Sequence, residues 1–421
     1  MTRSGAVAAA WAGAEYLAYP SLMILATPFL IRHLGAGSFG LWMLVASVVG
    51  SWGLVNLGSS PMITRYVAMY RDGTGLEHAK QIVRVGLGWA LIGGGLAGGS
   101  LIVSASWLAM GWFHGMGDHK PVTYSLMLAG GLLLLAQVEF TYKAALKGFE
   151  LFGLAARLEL ACKSAFVLVL LLLANMGQGL LGVLGAMLGF AFINCLIFGL
   201  ALSKVMGRAI WVPQFSVPIS GMPAFAGWNW LQILASVMFH QFDRFLIGAV
   251  LGAVPLAAYT VCLQVAQQIH ALPAALFSFL LPRASRRDVV SRQTREMTLV
   301  GLLVSLLIGL PVVLLAPRIL EWWMGAPFAT EYGTLLMTLA GGYLLLSINV
   351  VPHYLNLAAG NARFISMLNL IAGFATLILC VWLINDSGLW GVAESKFAYG
   401  LVLMVAYMHL RKGQKFELAK D

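Results

Sequence analysis

The chain has 421 residues, of which 60% are hydrophobic and only 10% charged, with a mean hydropathy of +0.86 and a formal net charge of +10. So few charges cannot cover the surface of a soluble protein of this length, so the class expected is a polytopic, all-α integral membrane protein. The positive balance is then a matter of topology, taken loop by loop, and not a sign of nucleic-acid binding.

A spanning helix needs roughly 20 mostly apolar residues. In chain order, such runs fall near 10–31, 38–60, 82–109, 121–145, 154–175 and 180–203, and again near 222–251, 254–281, 296–316, 332–358, 362–385 and 388–410. This predicts twelve transmembrane helices. The opening run, AVAAAWAGAEYLAYP, is broken by Glu15 and reads as the start of the first membrane helix, not as a signal peptide. Cys162, Cys195, Cys262 and Cys380 all lie in apolar runs without metal-ligand spacing. No disulfide, metal or cofactor is expected from them.

With both termini placed in the cytoplasm, Arg32, Lys120, Arg244 and Arg318 fall at outer positions and Lys396 inside the twelfth helix. Every other Lys and Arg falls on the inner side. The asymmetry predicts cytoplasmic termini, and an odd number of spans would scramble it.

Three short echoes connect the two halves. Leu34-Gly35-Ala36 with Trp42 recurs as Leu251-Gly252-Ala253 with Tyr259. Gly148 and Phe152 match Gly360 and Phe364, and GLLGV from Gly179 matches GLWGV from Gly388. The echoes fall at equivalent turns, six helices apart, which predicts two parallel six-helix repeats. The expected organisation is an N-terminal bundle 1–205, a cytoplasmic linker 206–221 carrying Pro213 and Pro218, a C-terminal bundle 222–410 and a tail 411–421. The outer loops are short, the longest near 110–121 and 317–331. That argues against a membrane enzyme of glycan assembly, and no nucleophile–base or metal-ligand spacing appears, so the expectation is not an enzyme.

The text RHLGAGSFGLWMLVASVVG (Arg32–Gly50), NLGSSPMITRYVA (Asn56–Ala68) and DRFLIGAVLGAVPLAAYTV (Asp243–Val261), with Pro282 ending the eighth predicted helix, resembles the multidrug/oligosaccharidyl-lipid/polysaccharide exporter superfamily. Within it, the chain looks like the bacterial polysaccharide-biosynthesis flippases of the O-antigen type. The resemblance implies two helical bundles around a central cavity and a function in the bacterial inner membrane: translocation of a polyprenyl-diphosphate-linked oligosaccharide by alternating access. The implied partners are that lipid-linked glycan, membrane lipid and other polysaccharide-assembly proteins. A cation-coupled multidrug antiporter of the same superfamily is the open alternative.

Moving a diphosphate and a glycan through the bilayer calls for cations and amides. Arg32, Arg65, Arg244 and Lys396 are the candidate cations, with Arg32 and Arg65 near helix ends where snorkelling also explains them. Lys396 lies two residues from Glu394, on another face, so the two are not expected to neutralise each other. Trp228, Asn229, Gln264 and Gln267 are candidate sugar contacts; an interfacial aromatic belt is the rival account of the first two. Glu15, Asp243, Glu139 and Glu394 are candidate coupling acids. Glu139 and Lys143 are four apart, so a local ion pair is the simpler expectation there. His270 is expected to be a satisfied packing residue. Pro20 and Pro28 make the first helix a possible bending element.

Overall fold

A computed structural model of the chain describes residues 3–56, 58–70, 75–216, 226–227, 230, 233–234, 237, 239–277, 291–358 and 361–417. Among these residues every regular element is a helix. In order they are α1 (Arg3–Leu34), α2 (Ala36–Gly50), α3 (Trp52–Asn56), α4 (Ser59–Tyr70), α5 (Leu76–Gly111), α6 (His119–Gly148), α7 (Phe152–Asn175) and α8 (Leu180–Met206). There follow α9 (Phe242–Val250), α10 (Ala253–Phe277), α11 (Ser291–Leu314), α12 (Ala316–Met324), α13 (Ala326–Ile348), α14 (Val350–Ala358) and α15 (Ala362–Glu417). Among the described residues, 8 stretches are helical, long and apolar enough to cross a membrane. One of them, Arg363–Ala406, lies in α15, which is two helices meeting at Gly388 (φ 58°, ψ −130°).

The turns show why glycine stands where it does. Gly35 (φ 80°) closes α1, its amide donating to the Ile31 carbonyl at 2.9 Å while its own carbonyl accepts the Phe39 amide at 3.0 Å to start α2. Gly252 repeats the device before α10, with φ 94° and its carbonyl accepting the Leu256 amide at 3.2 Å. A residue with a Cβ is disfavoured at this φ. The Leu-Gly-Ala echo is thus an echo of backbone conformation. Its aromatic partners, Trp42 and Tyr259, are both fully enclosed.

The chain divides into two compact units, Met1–Val237 with Gly248–Ala257, and Met238–Ile247 with Ala258–Asp421. In the first, α5 and α6 approach backbone to backbone. A Cβ on Gly98 would stand 2.3 Å from the Gly130 carbonyl oxygen, and one on Gly130 would stand 2.5 Å from that of Gly98. Lipid supplies no hydrophobic force between helices, so close van der Waals packing over small residues has to hold such a pair. The run 38–60, expected as one span, is interrupted at Ser51 and again before α4. Asn56 makes the second break tolerable: its Oδ1 accepts the Ser60 amide at 3.0 Å and its Nδ2 donates to Gln137 Oε1 at 3.1 Å. Trp230 Nε1 donates to the Leu54 carbonyl at 2.8 Å. Backbone groups freed by a break in the bilayer need such substitutes.

The first part of the predicted linker is docked on its unit. The Gln214 amide donates to the Arg84 carbonyl at 3.0 Å and Arg84 Nε donates to the Val212 carbonyl at 2.9 Å. Ile210 is fully buried and the Trp211 ring meets Tyr142 edge-on. In the second unit, two buried asparagines stitch α13 and α14 to α15. Asn349 Nδ2 reaches the Leu345 and Gly400 carbonyls at 2.9 and 3.1 Å. Asn356 Nδ2 reaches those of Pro352 and Ala406 at the same two distances.

Candidate functional site

Each unit encloses charge, and in each the charge is compensated. In the second unit the centre is Asp243, in the first turn of α9 and 3% exposed. Its Oδ2 receives Lys396 Nζ at 2.7 Å and the Tyr259 hydroxyl at 2.6 Å, and its Oδ1 accepts the Arg244 amide at 2.8 Å. Lys396, 2% exposed on α15, also donates to the Phe239 carbonyl at 2.6 Å and stands 4.4 Å from the centroid of the Phe239 ring. One carboxylate therefore ties α9, α10 and α15 together. In this surrounding two bare charges could not persist; paired and hydrogen-bonded, they do.

Beside the pair, the Arg244 guanidinium donates through Nη1 to Gln241 Oε1 at 3.2 Å, while its Nε is buried with no hydrogen-bond partner. His270 Nδ1, on α10, is likewise buried and unpartnered, contrary to the expectation of a satisfied packing residue. An unsatisfied buried polar atom costs about 1–3 kcal/mol, so each asks for a reason beyond packing. His240 lies within electrostatic reach of Asp243, Arg244, Lys396 and His270, and His270 within reach of His353 on α14. Gln267 Nε2 donates to the Tyr343 hydroxyl at 3.5 Å, and Gln268 Nε2 to the Gln264 carbonyl at 3.4 Å.

In the first unit the charges alternate along a chain. Lys143 Nζ meets Glu139 Oε1 at 2.6 Å and Glu159 Oε2 at 3.2 Å, and Lys163 Nζ meets Glu159 Oε1 at 2.5 Å. The aromatic rings of Phe140 and Phe198 lie 5.1 and 5.0 Å from Lys143, and that of Tyr19 lies 5.2 Å from Lys163. The network joins α6 to α7 and brings α1 against its end.

The structure thus brings together Asp243, Arg244 and Lys396, and pairs Glu139 with Lys143. It places Arg32 exposed in the last turn of α1 and Glu394 exposed on α15. Arg65 is exposed on α4, with its guanidinium 5.8 Å from the Tyr66 ring centroid. Trp228, Asn229 and the Glu15 side chain lie outside the described residues. Sequence reasoning missed Glu159, whose i,i+4 spacing to Lys163 was the available signal. It also missed Tyr259 and Phe239 as partners of the buried pair, and nothing local points to either.

Helices that bury compensated charge pairs and cross the bilayer several times define a multi-pass membrane protein, and comparison with known proteins narrows the class. A family model described as "Polysaccharide biosynthesis protein" matches residues 12–288, and the chain belongs to that family. It is similar to the "Putative O-antigen transporter" of Shigella flexneri, 22% identical over 399 residues that cover 90% of each chain. Among solved structures, its fold is that of a multidrug resistance MATE family transporter of the MOP superfamily (TM-score 0.78, 16% identity, covering 96% of this chain and 98% of that one). It is also that of the lipid II flippase MurJ (TM-score 0.69, 13% identity, covering 97% and 87%).

Proposed function

We propose that the protein is a flippase of the bacterial cytoplasmic membrane, moving a polyprenyl-diphosphate-linked oligosaccharide to the outer leaflet by alternating access and without a covalent step. The observation that carries this is the family match over residues 12–288, and the alignment with the Shigella relative along 90% of both chains agrees with it. The proposal includes twelve spans in two parallel six-helix bundles, 1–205 and 222–410, joined by the linker 206–221 and followed by a cytoplasmic tail 411–421. The matching turns at Gly35 and Gly252 support the duplication, and the skew of basic residues supports cytoplasmic termini. Membrane lipid and other polysaccharide-assembly proteins are its proposed neighbours.

The charges favour an anionic cargo. The acids enclosed by the described helices, Asp243, Glu139 and Glu159, are each matched by a lysine. Arg244 keeps a buried Nε donor without a partner, which makes it the proposed contact for the diphosphate, with Gln264 and Gln267 offered to sugar hydroxyls. A multidrug antiporter is the second reading, favoured by the TM-score of 0.78 with a MATE family transporter. Glycolipid analysis of depleted cells separates the two. The flippase reading expects a polyprenyl-diphosphate oligosaccharide to build up on the cytoplasmic leaflet while surface polysaccharide falls. Unchanged surface glycan with raised sensitivity to organic cations would move the function to drug export.

A further inference from the structure

The docked start of the linker runs along the first unit at a definite depth. Beyond Arg84, α5 carries no charged residue, and before Lys204 neither does α8. Those two cations mark where each apolar run ends on this side of the bilayer. The linker touches both helices about one turn on the apolar side of the marks. A Cβ on Gly88, four residues after Arg84, would stand 2.4 Å from the Gln214 carbonyl oxygen. One on Gly199, five residues before Lys204, would stand 2.2 Å from the Trp211 ring. Ile210 is fully enclosed, in one core cluster with Tyr142 and Phe198. The other side of the segment turns apolar groups outward, with Val212 55% and Phe215 59% exposed. Its polar side chains do not offset them, because Gln214 Nε2 donates to Ser216 Oγ at 2.9 Å. Residues 210–216 carry no charge at all. Such an outward face suits acyl chains better than water.

We infer that residues 210–216 form a membrane-surface strap, with Val212 and Phe215 seated among the acyl chains just beneath the cytoplasmic headgroups. The backbone is fit for that depth. Non-helical backbone in a bilayer is tolerated where the protein satisfies its polar groups. Here the Gln214 amide donates to the Arg84 carbonyl at 3.0 Å, and the Val212 carbonyl accepts Arg84 Nε at 2.9 Å. Pro213, between them, has no amide to satisfy. Aromatic rings gather at the same level: Trp211 meets Tyr142 edge-on, and Trp89, next to Gly88, packs on the same core cluster. A belt of this kind marks a membrane–water boundary. One turn further out, Lys204 is exposed in the last turn of α8, where the anionic inner leaflet attracts it. The face is thus apolar at the depth of the acyl chains and cationic at the depth of the headgroups, and the partner that has both layers in that order is a lipid surface. Held by the bundle on one side and by lipid on the other, residues 210–216 move with the first unit and are not part of a flexible tether.

The inference takes its leaflet from the proposed topology and does not depend on the cargo. It is tested on the full-length protein, whose native cysteines Cys162, Cys195, Cys262 and Cys380 are all buried. Val212→Cys, Phe215→Cys and Glu77→Cys are each labelled with a nitrobenzoxadiazole maleimide and reconstituted in vesicles of phosphatidylethanolamine and phosphatidylglycerol. Glu77 lies two turns before Arg84 on the same helix, and its side chain is 74% exposed, so a label there reports water. Doxyl groups near the head of the acyl chains should quench the labels at 212 and 215 at least about threefold more than the label at 77, and aqueous iodide should do the reverse. Iodide quenching at 212 and 215 equal to that at 77 would overturn the strap. So would labels that neither quencher reaches, the sign that protein and not lipid covers this face. In intact cells, an impermeant maleimide applied from outside should leave Glu77→Cys unmodified. Modification there, with the acyl-chain quenching retained, keeps the strap and overturns the proposed topology. Acyl-chain quenching in a protein whose depletion leaves glycolipids unchanged keeps the strap and removes the proposed cargo.

Discussion

Lys396→Met is the substitution whose consequence can be worked furthest. It removes a cation that is 2% exposed and leaves Asp243, 3% exposed, holding only the Tyr259 hydroxyl and the Arg244 amide. Breaking a buried ion pair by deleting one partner costs about 3–5 kcal/mol, because the other charge stays behind in a medium that solvates it poorly. Asp243→Leu should cost about the same, for the mirror-image reason. Replacing both partners with apolar groups of similar volume is often close to neutral, so the double variant should recover to within about 1 kcal/mol of wild type. The double-mutant cycle would then show a coupling of several kcal/mol, far above the value for an exposed pair. The assay is reversible unfolding in mixed micelles, followed by the loss of helical circular dichroism for all four proteins. Two additive single losses, or a Lys396→Met loss under about 1 kcal/mol, would show that the pair is solvated and that its burial has been misjudged.

Three further predictions follow from the packing of the helices. Glu159→Gln takes both lysines' shared partner, leaving Lys143 to Glu139 and Lys163 to the Tyr19 ring; a loss of about 1.5–3 kcal/mol is expected, the range for hydrogen bonds to charged groups, in the same unfolding assay. Asn356→Leu removes donors to the Pro352 and Ala406 carbonyls and should cost about 0.6–1.7 kcal/mol, the span measured for hydrogen bonds between membrane helices. Gly98→Val drives a Cβ to 2.3 Å from the Gly130 oxygen and should cost about 1–3 kcal/mol by overpacking, whereas Gly99→Ala, which meets nothing within 4 Å, should stay within about 0.5 kcal/mol. Equal melting of the two glycine variants would refute the close approach of α5 and α6.

What could be read from the sequence was what is local. The Glu139–Lys143 pair is one helical turn long, and its spacing predicts the contact that the fold makes. Glu159–Lys163 has the same spacing and is just as visible along the chain. The Leu-Gly-Ala turns were legible because a glycine at positive φ is a local requirement. The break inside 38–60 was harder to read, since no proline lies within that run; its local signs are Asn56 and Gly58, the latter at φ 74°, just before Ser59-Ser60. The docking of the linker was hidden because Arg84 binds the backbone carbonyl of Val212, and a carbonyl is present at every position.

The candidate site was half legible for the same reason. Asp243 and Lys396 each stood out as an ionisable residue in an apolar run, and the spacing of Lys396 from Glu394 correctly excluded the nearest acid as its partner. Nothing in the sequence could say that the partner lay on α9, far away along the chain. The difference in range has a physical consequence. The i,i+4 pairs of the first unit, Glu139–Lys143 and Glu159–Lys163, are each held within one helix, with the Lys143–Glu159 contact at 3.2 Å joining the two helices, so protonating Glu139 loosens one helix face while its partner stays at hand. The Asp243–Lys396 tie closes only through tertiary packing, and it gathers α9, α10 and α15 on two oxygens. Neutralising Asp243 therefore acts on the packing of three helices at once. A single titrating group can shift a conformational equilibrium only by the difference in its interactions between the two states. In the second unit that difference is concentrated on one carboxylate, which is where a coupling ion would have the most leverage.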